Sequence, residues 1–138
     1  MTWDDLQEDE IEVDEPSELL WRNCAESWVD DGVPSKQLFL PTKKDNKQLS
    51  TARSSVVNAD QHFTEFCATG SQSTGIWAVS VDELQSAQLR AVDDSKAGFS
   101  PLTGHCFVDF RQCSSGGVIQ RAARALKDHA LARGQQHP

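Results

Sequence analysis

The sequence predicts an α+β domain: a small mixed or antiparallel sheet of four to five strands, two short helices, and a long C-terminal helix packed on the sheet. Three observations carry that expectation. His105 to Arg111 alternates, with Cys106, Val108 and Phe110 on one side and His105, Phe107, Asp109 and Arg111 on the other, the period of a strand with a core face and a mixed face. Gly75-Ile76-Trp77-Ala78-Val79 is an apolar run of strand length leading into Ser80, where Glu83 completes a capping box and Val79 and Leu84 take the staple positions. Ile119, Ala122, Ala123, Leu126 and Ala130 form an apolar stripe at helical spacing, closed by Gly134 with Arg133 at the negative end of the helix dipole.

The elements follow in order. Residues 1–18 hold nine acids and no base, a stretch too charged to fold alone, and Pro16 separates it from the body. The domain is therefore expected over residues 19–138, with 1–18 as an acidic N-terminal tail. Leu19 to Arg22 reads as a short strand or a first helical turn, and Asp31-Gly32-Val33-Pro34 as a turn. Leu38-Phe39-Leu40 is strand-like up to Pro41, and residues 43–47 form a polar loop. Residues 49–57 are a half-exposed strand. Asn58 caps a helix, with Gln61 completing a box and Ala59, Phe63, Phe66 and Cys67 on one face up to Gly70. The run at Gly75 to Val79 has the character of a central strand buried on both faces. Residues 92–104 are loop-like.

Charge is partitioned unevenly. The chain carries 21 acids against 13 bases and a net charge of −8, so beyond residue 18 the body is nearly neutral, at about +1. Trp3, Leu6, Ile11 and Val13 interrupt the acidic stretch, which suits docking onto a basic partner or onto the protein's own body. Phosphate backbones repel such a segment, so it is not a nucleic-acid reader. No apolar run reaches the ~18–20 residues of a membrane span, and no basic start with an apolar stretch marks a secretory signal. Four cysteines without paired spacing fit a reducing cytosol better than a disulfide scaffold.

Chemistry is sparse. No His or Cys pair has zinc-ligand spacing, so no metal or other cofactor is expected. Neighbouring His105 and Cys106 point to opposite strand faces, and His105 and Asp109 are roughly 13 Å apart along an extended strand. A catalytic dyad therefore does not come from that segment, and no catalytic residue is assigned. Ser114-Ser115-Gly116-Gly117 precedes a helix but matches neither phosphate-binding motif. Trp21 and Trp28 flank residues 23–27 and belong either to the core or to a contact surface.

Leu20-Trp21-Arg22, Ser27-Trp28, Asp31-Gly32, the Ser35 to Phe39 stretch, Pro41-Thr42, Lys44-Asp45 and Leu49-Ser50, followed by Gly75 to Val81, His105 to Phe110 and Ala130 to Gly134, stand in an order that resembles a small family of bacterial proteins with no assigned activity. The resemblance covers residues 19–134. Where many relatives have His-Pro before Ser-Trp, this chain has Ala25-Glu26, so any role of that histidine is absent. Trp21, Arg22, Trp28, Lys44, Asp45, Ser50 and His105 are the candidate binding surface.

Two functions are expected from these features. The first is a non-enzymatic cytosolic interaction protein, a regulatory subunit or inhibitor-like partner, meeting a basic protein surface through the acidic tail, the α+β body or both. The alternative is a small nucleotide-binding enzyme domain whose site gathers Arg22, Lys44 and His105; a strand ending in Arg followed by a Ser-containing strand resembles ADP-ribosyl-transferring folds. The two separate on geometry, because the second requires Arg22, Lys44 and His105 to share one concavity.

Overall fold

The computed structural model describes residues 6–98 and 100–137. In chain order these form β1 (Ile11–Val13), β2 (Leu19–Asn23), β3 (Val29–Asp30), β4 (Val33–Pro34), β5 (Gln48–Arg53), α1 (Ala59–Ala68), β6 (Ile76–Ser80), α2 (Val81–Ser86), β7 (Arg90–Asp93), β8 (His105–Asp109) and α3 (Gly116–Arg133). Six strands make one antiparallel sheet in the order β1-β7-β8-β5-β2-β6, and β3 with β4 makes a separate two-stranded ribbon. The α+β class, the antiparallel sheet and the long C-terminal helix stand as expected. No described helix is long and apolar enough to cross a membrane.

The strand number is six in the main sheet, not four or five. The two strands that periodicity misses pair with each other, Ile11↔Asp93 through Val13↔Ala91. β7 shows no alternation because Ala91 and Val92 are both fully buried, and β1 is three residues inside an acidic run. Its position comes from a partner distant in sequence, not from its own pattern.

Two further expectations change. Leu38-Phe39-Leu40 is not a strand; Lys36–Phe39 is a 3-10 turn started by the Ser35 side chain, which accepts from the Gln37 N–H, and it drives Leu38 and Phe39 into the core. β6 is the last strand of the sheet, not a central one. Its outer edge is closed instead by the C-terminal segment, with Ile76 N–H donating to the His137 carbonyl at 2.9 Å and Gln136 N–H to the Ile76 carbonyl at 2.7 Å. Coverage of that edge lets an apolar run sit there without exposing a pairing surface.

The sheet has helices on both faces. On one, Leu20, Leu49, Val79, Ala91, Cys106, Val108 and Phe110 pack against Leu84 of α2, Ala122, Ala123, Leu126 and Ala130 of α3, and Phe39. On the other, Trp21, Ala52, Ile76 and Ala78 pack beneath Ala59 and Phe63 of α1. The predicted junction at Ser80 is present in full: Ser80 N–H donates to Glu83 Oε1 at 2.9 Å and Glu83 N–H to Ser80 Oγ at 3.1 Å. Asn58 caps α1 by accepting from Gln61 N–H at 2.7 Å, but the Gln61 side chain bonds Glu65, so that box stays half made.

The acidic stretch is built into the sheet from β1 onward. Val13 is core, and three carboxylates face arginines of the body: Glu10 with Arg111 at 3.2 Å, Glu12 with Arg90 at 3.9 Å, Glu18 with Arg53 at 2.8 Å. Trp3 lies outside the described residues.

Candidate functional site

The site begins where a strand ladder stops. β2 and β5 pair only at Leu20↔Arg53 and Trp21↔Ala52; beyond that the next residues of β2, Arg22 and Asn23, no longer face β5 in the ladder. Arg22 bridges the parting instead. Its Nε donates to the Leu38 carbonyl at 2.9 Å and its Nη1 to the Ser50 carbonyl at 3.0 Å, while the guanidinium lies 5.0 Å from the centre of the Trp28 ring, within cation–π range. Beside it opens a cavity of about 80 Å³ to which Arg22, Asn23, Trp28, Ser50, His62 and His105 contribute.

Three features of the lining are electrostatically incomplete. Burial lowers the Arg22 pKa to about 10, with Asp45 opposing the shift from a distance; the group is still a cation at neutral pH, and among the described residues it makes no ion pair. Asn23 is 7% exposed, and neither its Oδ1 nor its Nδ2 has a hydrogen-bond partner among the described residues. His62 is 4% exposed with its Nδ1 likewise unpartnered. Burial pushes His62 down to about 4, opposed by Glu65 and aided by His105 and Arg22, so its imidazole is neutral. Buried polar groups are nearly always paired. Here a cation, an amide and an imidazole face one small volume with bonding capacity left over.

At the rim of the cavity a row of side chains crosses three neighbouring strands. The β7–β8 register ends at Asp93↔Cys106, so the next residue, Asp94, falls opposite His105. Across the other side β8 pairs with β5, Ser50 facing Phe107 and Ala52 facing His105, which puts Ser50 diagonal to His105 on the same face. The contacts follow: His105 Nδ1 is 2.6 Å from Asp94 Oδ1, and His105 Nε2 is 3.2 Å from Ser50 Oγ. Ser50 and His105 also line a second, open depression of about 260 Å³, shared with Asp45 and Asp94. Ser50 and His105 therefore border both hollows.

The candidate surface divides accordingly. Arg22, Trp28, Ser50 and His105 meet at the cavity. Asp45 lies in the depression, where its Oδ2 accepts from Thr42 N–H at 2.7 Å, a turn-capping duty. Trp21 belongs to the core beneath α1, its indole N–H donating to the Val57 carbonyl at 2.7 Å. The Lys44 side chain lies outside the described residues.

Asn23, His62 and Asp94 escape sequence reasoning. Asp94 is matched to His105 only by the β7–β8 register, and β7 leaves no periodic trace. Asn23 ends an apolar strand and His62 sits within an amphipathic helix, where each reads as ordinary. Asp109, the carboxylate on the same strand as His105, is committed elsewhere. It is fully buried and bonds Arg90 Nε and Arg111 Nε, each at 2.9 Å; burial raises its pKa, but the bonds to Arg111 and Arg90 outweigh this and hold it below the usual carboxylate range. Cys106 is an inert core thiol, pushed up by burial to about 12. No family model matches the chain, and no curated protein or solved structure is detectably similar to it.

Proposed function

We propose that the protein binds a small carboxylate-bearing molecule in the cavity beside Arg22. The carrying observation is the half-buried Arg22 cation, without an ion-pair partner among the described residues, next to a buried Asn23 amide whose donor and acceptor are both unused. Leaving the buried Asn23 Nδ2 donor unsatisfied costs about 1–3 kcal/mol, and a bound carboxylate, which accepts from it and pairs with the Arg22 charge, removes that cost. Arg22 supplies the cation, Asn23 and neutral His62 supply directional hydrogen bonds, and Trp28 supplies an apolar wall. A volume of about 80 Å³, several times the room a single water needs, admits the carboxylate end of a small acid. A nucleotide is far larger, and most of it would lie in the open depression. The setting is the cytosol, where the four free cysteines stay reduced.

Thermal shift with acetate, propionate and benzoate against their neutral amides tests this. A carboxylate-specific rise in Tm that Arg22→Met abolishes is expected. An equal response to acid and amide, or none, overturns the reading.

The exposed carboxylates of Glu8, Asp9, Asp14 and Glu15 favour a second role, since none makes an ion pair among the described residues. They present an acidic edge to a basic protein surface, an attraction that weakens with salt. Co-precipitation that persists unchanged from low to high ionic strength counts against that role.

A further inference from the structure

We infer that Ser50 is the nucleophile of an acyl-transfer reaction, with His105 as its base and Asp94 as the group that orients His105. The geometry is complete in the order such chemistry requires. Asp94 Oδ1 at 2.6 Å from Nδ1 fixes the tautomer with its proton on Nδ1, which leaves the Nε2 lone pair facing Ser50 Oγ at 3.2 Å. Ser50 is exposed, so an incoming carbonyl carbon reaches its hydroxyl. The three residues come from three adjacent strands, Asp94 just past β7, His105 at the start of β8 and Ser50 within β5, and such an arrangement is recognised by geometry and roles rather than by sequence position.

The substrate class is an ester of a short acid, and here the inference rests on the cavity reading. The acyl part enters the space beside Arg22, and the leaving group lies in the open depression that Ser50 and His105 share with Asp45 and Asp94. Attack forms the Ser50 Oγ–C bond and passes the hydroxyl proton to His105 Nε2. The carbonyl electron pair moves onto oxygen, where the unpartnered Asn23 amide and the Arg22 cation in the same cavity are donors for the negative charge. Collapse breaks the ester C–O bond, and His105 returns the proton to the departing alkoxide. Water, activated by the same His105, then attacks the acyl carbon; the Ser50 Oγ–C bond breaks, Ser50 recovers its proton, and the free acid leaves. Asp94 keeps its contact with Nδ1 throughout and orients the imidazolium.

The test is acylation of the full-length protein with p-nitrophenyl acetate, followed by nitrophenolate release and peptide mass mapping. One acetyl group on Ser50 is expected. Ser50→Ala abolishes it, Ser50→Cys retains it, and Asp94→Asn slows it about 100-fold or more, with circular dichroism confirming each fold. Absence of acetyl on Ser50 in the wild-type protein overturns the inference, as does a Ser50 acetylation rate unchanged by His105→Gln and Asp94→Asn. Carboxylate thermal shift on the same samples separates the two readings. Acetylated Ser50 without a carboxylate response removes the binding role and keeps the nucleophile; a carboxylate response without Ser50 acetylation does the reverse.

Discussion

His62 shows how one imidazole ties the cavity to stability. Its pKa stands at about 4 in the folded chain against an ordinary 6.5, so as pH falls the unfolded chain takes up the proton first. Its contribution is intact above pH 6.5 and is lost on the way down to about 4, amounting to at most about 3 kcal/mol. Urea denaturation at stepped pH should show wild type losing more stability across that window than His62→Leu; equal losses would remove the effect. Arg22, Ser50 and His105 are legible as candidates because they match polar positions of the resembled family. Asn23 and Asp94 are not, since each gains meaning only from what faces it across the sheet. A histidine's partner is chosen by strand register, and sequence separation is a poor guide: Asp109, four residues from His105, serves two arginines, while Asp94, eleven away, meets the ring.

Elements defined by short-range chemistry could be read directly. The Ser80–Glu83 box needs only four consecutive residues, and Glu83 gains a second duty by bonding Arg133 of α3 at 2.8 Å. Ser80→Ala should cost about 1 kcal/mol in a thermal or urea melt, and Glu83→Ala should cost more because both duties go. Elements defined by remote chemistry were opaque. Leu38-Phe39-Leu40 is strand-like in composition, yet the Ser35 cap and the demand of the core for Leu38 and Phe39 win. Glu18 belongs here too: 6% exposed, it bonds Arg53 and Ser55. Burial raises its pKa, but those bonds leave it lowered overall. Arg53→Met strands that carboxylate, and also Asp93, which Arg53 bonds at 2.9 Å, and should cost about 3 kcal/mol, only partly restored by the double variant Arg53→Met with Glu18→Gln.

At the scale of the molecule the class and the long helix were legible, because a stripe of five apolar residues and one clear alternation suffice to name them. The strand order was not. Nothing local sends β1 to β7 or places β6 at the end of the sheet; each pairs with a strand more than 50 residues away in sequence. Gly75 marks the covered edge. At φ +139° a Cβ there would strike the Gln135 side chain and the His137 carbonyl, so Gly75→Ala should lower stability by more than about 1 kcal/mol. Hydrogen exchange should localise the loss to the Ile76 amide, whose acceptor is His137. Unchanged protection at Ile76 would mean the C-terminal segment is not what closes that edge.

The parting of β2 from β5 also has a bearing on how the protein tolerates change. A guanidinium grips the Leu38 and Ser50 carbonyls where peptide groups would otherwise zip together, so the hollow is propped open by one long side chain. A short replacement such as Arg22→Ala releases both acceptors and invites the seam to close over the vacated room. Inactivation by that route would leave a tighter sheet, with amides of Thr51 exchanging more slowly than before, and a damaged protein could thus be the more durable one.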